Sequence, residues 1–278
     1  MRPRALGCET MKHYVIRGGS EGKARLKLLA RVLQPSTGRL LDQIGVAEGM
    51  SCLDVGCGGG DVTGEMARRV GATGKVVGVD GDGVVLALAR RDAEDAGLSN
   101  VHYMQADAAN LRLEPVFDVV YSRFLLTHVG DGSSVLGVMA RATRERGTIA
   151  VEDIDFSGHV CYPACRAFTT YVELYREVVR IRGGDPDIGP RLPSLFLAAG
   201  VESVRVQVVQ PVALQGEAKS IAALTLEKIA DAVVAEGLAS SAEVTDLIAG
   251  LAEFAEDPRT LMSLPRIFQV WGHRPASP

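Results

Sequence analysis

Three carboxylates stand where short apolar stretches end: Asp54 in "CLDVGCGGGDV", Asp80 in "VVGVD" and Asp107 in "QADA". Gly56, Gly58, Gly59 and Gly60 follow the first of them closely. Glycines crowded after a strand let backbone approach a ligand where a side chain would intrude. The usual occupant of such a loop is a pyrophosphate on a helix N-terminus, with the spacing G-x-G-x-x-G. Here Asp61 takes the third glycine's place. Asp54 and Asp61 flank the loop and repel a polyphosphate, which argues against a dehydrogenase. They attract a ligand that carries cations instead. Asp80 is placed to accept hydrogen bonds from two ribose hydroxyls, and Asp107 reaches an adenine amino group with the Ala108 amide nearby. An adenosine bearing an ammonium and a sulfonium in place of phosphates is S-adenosylmethionine. Gly56, Cys57, Gly58, Gly60 and Gly81 complete the expected cradle.

Such residues converge only if their strands lie side by side. "MSCLDV", "KVVGVD", "VHYMQ", "VFDVVYS" and "GTIAVEDI" read as buried strands. Between them, "DVTGEMARRVG" ending at Gly71, residues 82–97 ending at Gly97, and "GSSVLGVMARATR" read as helices. This alternation implies a parallel sheet with helices on both faces. Ligands bind at the C-terminal strand ends of such sheets, where all three carboxylates fall. Residues 20–46 carry helix-spaced Leu26, Leu29, Ala30, Leu33, Leu40, Leu41 and Ile44, divided into two helices by Pro35. Beyond Ile154 comes a helix over 163–182, striped by Phe168, Tyr171, Val172, Tyr175, Val178 and Val179. Its tyrosines serve either a core or a substrate wall. A short helix in "LPSLFLAAG", a strand in "VESVRVQVVQPV", amphipathic helices over 217–236 and 240–256, and a strand in "RIFQVWGHR" follow.

The chain has 278 residues, 47% hydrophobic and 23% charged, with a net charge of −4. That is a globular composition without the basic clusters a nucleic acid requires. No apolar run reaches membrane-spanning length, and the start lacks the apolar stretch of a secretory signal. Cys8, Cys52, Cys57, Cys161 and Cys165 lack the paired spacings of a zinc site. They suit a reducing cytoplasm, and no metal is expected.

From about Tyr14 to Ile154 the sequence resembles the class I S-adenosylmethionine-dependent methyltransferases, in particular the bacterial small-molecule type related to the ubiquinone and menaquinone enzymes. "LDVGCGGGDVT", "VVGVD" and "QADA" are similar to that family's first three cofactor motifs, and "FDVVYSRFLLTHV" to its fourth-strand motif. The resemblance implies a Rossmann-like, seven-stranded, mostly parallel α/β sheet closed by an antiparallel hairpin. Residues 202–212 and 266–274 would be its last strands. It also implies that Ser122 and Arg123 join the cofactor set, that Phe124 meets substrate, and that Tyr14 or Arg25 lies near the cofactor carboxylate. "RERGT" replaces the family's Pro-Gly-Gly turn before the fifth strand. The Asn/Asp-Pro-Pro-Tyr motif of amino-group methyltransferases is absent, which disfavours nucleic acid and protein substrates.

Methyl transfer is an in-line displacement, and a hydroxyl acceptor needs a base. His128, after the fourth strand, is one candidate; it is otherwise a packed or capping histidine. Glu152, Asp153 and Asp155 follow the fifth strand, and alternation turns either Glu152 or Asp153 to the pocket, with Asp153 taken as the catalytic candidate. Phe124, Tyr171 and Tyr175 suggest a small, aromatic acceptor of the methyl group. The expected organisation is a helical segment over the cofactor (1–48), a cofactor-binding core (49–155), a cap helix and a core helix (156–200), terminal strands (201–215 and 264–278), and a helical insertion (216–263). The insertion is either a lid or a subunit contact, and the chain either a monomer or a homodimer. The competing function is a sensor or assembly partner that binds S-adenosylmethionine without turnover.

Overall fold

The computed structural model describes residues 19–276. In chain order its elements are α1 (Gly19–Gln43), β1 (Ser51–Val55), α2 (Asp61–Val70), β2 (Lys75–Asp80), α3 (Gly83–Asp95), β3 (Val101–Gln105), β4 (Phe117–Arg123), α4 (Gly132–Ala142) and β5 (Thr143–Asp155). Then come β6 (Cys161–Tyr162), α5 (Arg166–Ile181), α6 (Leu192–Ala198), β7 (Glu202–Val209), β8 (Val212–Ala213), α7 (Ile221–Ala235), α8 (Ser241–Glu256), β9 (Leu261–Ser263) and β10 (Arg266–His273). One seven-stranded sheet has the order β3-β2-β1-β4-β5-β10-β7. The strands from β3 to β5 are parallel, and β10 is antiparallel to both β5 and β7. The strand order reverses between β1 and β4, which opens a crevice at their C-terminal ends.

Successive side chains alternate across the sheet. Leu53, Val55, Val77, Val79, Val120, Ile149 and Val151 pack with α4 and α6. Cys52, Val76, Val119, Tyr121 and Ala150 pack with α2 and the C-terminal half of α1. Both faces are covered, so the strands read as near-continuous apolar runs. Asp82 and Asp131 accept backbone N–H groups at the starts of α3 and α4, and Ser240 and Glu243 form a capping box on α8.

Pro35 does not divide α1, contrary to expectation; the helix runs through it. Leu28, Leu29 and Leu33 are buried in one cluster before the proline, and Leu40, Leu41 and Ile44 in another after it. Packing on both sides outweighs one missing backbone donor.

The first of those clusters is a helical layer made by the N-terminal half of α1 with α5, α7 and α8, closed over Ile154 and Phe156 at the end of β5. Tyr171, Leu226, Ile229 and Val233 lie at its centre. Below it is a small sheet absent from the sequence reading, in the order β6-β9-β8. Its strands are two or three residues long, too short to carry a period-2 signature. Pairing of β8 with β9 joins the two ends of the insertion that contains α7 and α8. Among the described residues no helix is long and apolar enough to cross a membrane.

Candidate active site

The glycine loop is tied to the neighbouring strand by its own backbone. Gly56 and Cys57 both donate N–H to the Val79 carbonyl, at 2.8 and 2.9 Å. Asp80 then spans two turns: Oδ2 accepts from Gly58 N at 2.8 Å and Oδ1 from Asp82 N at 2.9 Å. Each oxygen keeps lone-pair capacity for a further donor. Gly58 (φ +51°) and Gly81 have no heavy atom within 4 Å of where a Cβ would stand, so their backbone faces open space. Asp107 caps the turn after β3, accepting from Ala109 N and Asn110 Nδ2.

Asp54 is buried and accepts from Thr63 Oγ1 at 2.7 Å. Burial pushes its carboxyl up to about 6, against the pull of Thr63 and Arg123. Burial also raises Asp61 and Asp80. Three carboxyls thus share one desolvated loop, with Arg123 beside Asp54 and Asp61 and Lys27 also acting on Asp61. A polyphosphate would add to this negative charge; a phosphate-free nucleoside bearing cations relieves it. The residues therefore fit S-adenosylmethionine: Asp80 for the ribose hydroxyls, Gly56–Gly58 and Asp54 for the amino-acid end, Asp107 and Ala108 for the base.

One cavity of about 890 Å³ joins this loop to the underside of the helical layer. Its far half is lined by Phe124, Ile154, Phe156, His159, Tyr171, Tyr175, Ile221, Ala222, Met262 and Leu264. Phe156 stacks on Tyr175 at 3.7 Å between centroids and meets Tyr171 and His159 edge-on. Phe124 sits at φ 55°, an unusual conformation for a bulky residue that turns the chain sharply after β4. His159 Nδ1 lies 2.8 Å from the Phe156 carbonyl. A carbonyl only accepts, so Nδ1 carries the proton and Nε2 the lone pair. Burial lowers His159 to about 4. Lys219 also borders the cavity, but its ammonium donates to Asp257 O at 2.8 Å and Thr260 Oγ1 at 2.7 Å and is spent on joining the insertion's two ends.

Of the residues singled out in the sequence, Asp54, Gly56, Cys57, Gly58, Asp80, Gly81, Asp107, Ala108, Arg123, Phe124, His128, Tyr171, Tyr175 and Arg25 border this cavity. Tyr14 lies outside the described residues. His128 stands on a turn of 3₁₀-helix, Leu126–His128, and burial, with a smaller push from Arg25, lowers it to about 3. Gly60, Ser122, Glu152, Asp153 and Asp155 do not border the cavity. Ser122 Oγ is buried and donates to Val55 O at 2.8 Å, which ties β4 to β1. Gly60 starts α2 at φ +79°, with the Tyr103 hydroxyl where a Cβ would be. Asp153 is buried below the cavity floor, accepting from Thr127 N at 3.2 Å and Ile154 N at 2.9 Å. Glu152 is equally buried, held by the Tyr121 hydroxyl and by Gln269 Nε2. Neither carboxylate turns to the pocket, because buried donors claim both. Phe156, His159, Thr225 and Met262 border the cavity without having been singled out. They come from distant segments, and no local motif marks them.

A family model described as a methyltransferase domain matches residues 47–180. The ubiquinone/menaquinone biosynthesis C-methyltransferase of Idiomarina loihiensis is 38% identical over 119 residues, 42% of this chain and 47% of that protein. The chain spans about half the length of the curated relatives it matches. Among solved structures, the YcgJ protein of Bacillus subtilis superposes with a TM-score of 0.58 at 16% identity, over 88% of this chain and 100% of that one. Phosphoethanolamine N-methyltransferase 2 of Haemonchus contortus, solved with S-adenosylhomocysteine, gives a TM-score of 0.58 at 17% identity, over 91% and 58%. These two likenesses show the fold. With the loop geometry and the domain match together, residues 47–180 are a methyltransferase domain of the class I S-adenosylmethionine-dependent type.

Proposed function

We propose that the protein moves a methyl group from S-adenosylmethionine to an oxygen, nitrogen or carbon atom of a small aromatic molecule. The observation that carries this is the continuity of the cavity from the glycine loop to the aromatic wall. Donor and acceptor compartments share one space. When bound, the cofactor supplies an electrophilic methyl carbon. The chain supplies position, which in favourable cases contributes on the order of 7–11 kcal/mol, and a helical layer that keeps water from the reacting atoms. Phe156 and Tyr175, already stacked, offer a flat apolar wall to a ring. His128, which borders the cavity on the turn after β4, is the proposed base; burial keeps its ring neutral but also makes it a weak base, so it suits only a strongly acidic acceptor. Asp153 acts through position, holding the turn that carries His128 by its bond to Thr127 N. The free cysteines Cys52, Cys57, Cys161 and Cys165 suit a reducing cytoplasm.

S-adenosylhomocysteine should raise the melting temperature by linkage. Asp80→Ala should weaken its calorimetric affinity by roughly 1–3 kcal/mol, the penalty of unpaired hydroxyls. Incubation with a metabolite extract and deuteromethyl cofactor should yield a labelled product by mass spectrometry. Binding with no labelled product in any extract would favour the sensor reading, and absence of binding would overturn both.

A further inference from the structure

Arg25 is 8% exposed and borders the cavity from α1. Its Nε donates to Thr225 Oγ1 at 3.0 Å, and that hydroxyl donates on to the Ile221 carbonyl at 2.6 Å. A guanidinium has five N–H donors. Among the described residues, this is the one hydrogen bond Arg25 makes, and no carboxylate pairs with it. Burying a cation without a counter-charge is among the least favourable arrangements in a protein. A fold retains one where a ligand completes the pair.

The surroundings indicate which end of the cavity that ligand occupies. The charge of Arg25 acts on Tyr171 and His128, on the aromatic side. Of the acids of the glycine loop, Asp54 feels Arg123 instead, and Asp61 feels Arg123 and Lys27. Lys219 is consumed by carbonyls and Thr260. The remaining acids of the cavity serve turns and helix starts: Asp80, Asp82, Asp107 and Asp131 all hold backbone N–H groups. Among the described residues, the aromatic half therefore has one cation whose terminal donors are unused, Arg25, and no carboxylate in its lining.

We propose that Arg25 receives a carboxylate of the methyl acceptor, whose ring lies against Phe156 and Tyr175. The terminal nitrogens form the fork that matches a carboxylate. The inference rests on the methyl-transfer reading above. A carboxylate could come from one other source, the amino-acid end of the cofactor; the position of Arg25 beside Thr225 and Tyr171 favours the acceptor.

The test is calorimetry on the full chain saturated with S-adenosylhomocysteine, using 2-naphthoate, 2-naphthamide and 2-naphthylmethylamine. Naphthoate should bind about tenfold or more tighter than the amide, as a charge-assisted pair requires, and the amine most weakly. Arg25→Met should erase the advantage of naphthoate and leave S-adenosylhomocysteine affinity within about twofold. Equal binding of naphthoate and naphthamide overturns the proposal, and this comparison on the unaltered chain decides the matter even if Arg25→Met fails to fold. Loss of S-adenosylhomocysteine affinity in Arg25→Met assigns Arg25 to the cofactor and also overturns it. Failure of the unaltered chain to bind S-adenosylhomocysteine removes the underlying reading, a separate and recognisable outcome.

Discussion

A Cβ added to Gly58 would meet nothing within 4 Å, whereas one added to Gly60 would run into the Tyr103 hydroxyl and crowd Ala89. The two glycines share a loop and a positive φ but answer to different demands. Gly58→Ala should fold with a modest loss from left-handed strain and lose about tenfold or more in S-adenosylhomocysteine affinity, because its methyl group enters the ligand's space. Gly60→Ala should lose on the order of 1–3 kcal/mol of stability to overpacking; urea unfolding and calorimetry together separate the two. His128 gives a test in pH. An unfolded histidine takes up a proton below about 6.5, while the folded one resists until about 3. The unfolded state then binds more protons, so this group's contribution is present above the unfolded value and is lost as pH falls. Measured by urea unfolding, His128→Gln should gain about 2 kcal/mol on the parent chain between pH 7.5 and pH 5. An unchanged difference would mean the ring is not desolvated.

At the level of elements, α1 poses the sharpest contrast between pattern and packing. Pro35 is exposed within a continuous helix, so Pro35→Ala gives up little buried surface and restores a backbone donor. It should stabilise the chain by about 1–3 kcal/mol, read as a higher urea midpoint with an unchanged slope. The strands of the parallel core were legible because burial on both faces writes them as unbroken apolar runs, and α2 and α3 because Gly71 and Gly97 end them. Continuity of α1 was not legible. Propensity places a break at proline, and nothing local reveals that Leu33 and Leu40 are held by separate clusters. The small sheet was hidden for another reason: its strands, two or three residues long, do not repeat the period-2 signal that would betray them.

Across the whole molecule, the two halves of the cavity differ in how far apart their residues lie in the chain. The cofactor half gathers residues 54–61 with the ends of β2 and β3, neighbours along a regular alternation, so the sequence displays it. The aromatic half gathers Arg25, Phe156, Tyr171, Thr225 and Met262 from five separate stretches. Helical periodicity tells that Tyr171 is on an apolar face, but not that Phe156 and Thr225 meet it. Asp153 failed as a pocket residue for a related reason: alternation assigns a face, and only the fold shows that Thr127 N is waiting there. The sheet order carries its own demand on synthesis. β5 and β7 are joined through β10, which lies between them yet leaves the ribosome after both. Until Arg266–His273 emerges, β5 has an open edge and β7 has no partner in the large sheet, the condition in which nascent chains pair with one another. A translation stop before Arg266 therefore removes a strand from the middle of the sheet rather than from its margin. Such a fragment keeps every cofactor motif and the parallel strands that carry them, but leaves the edge of β5 bare and β7 without a place in the large sheet.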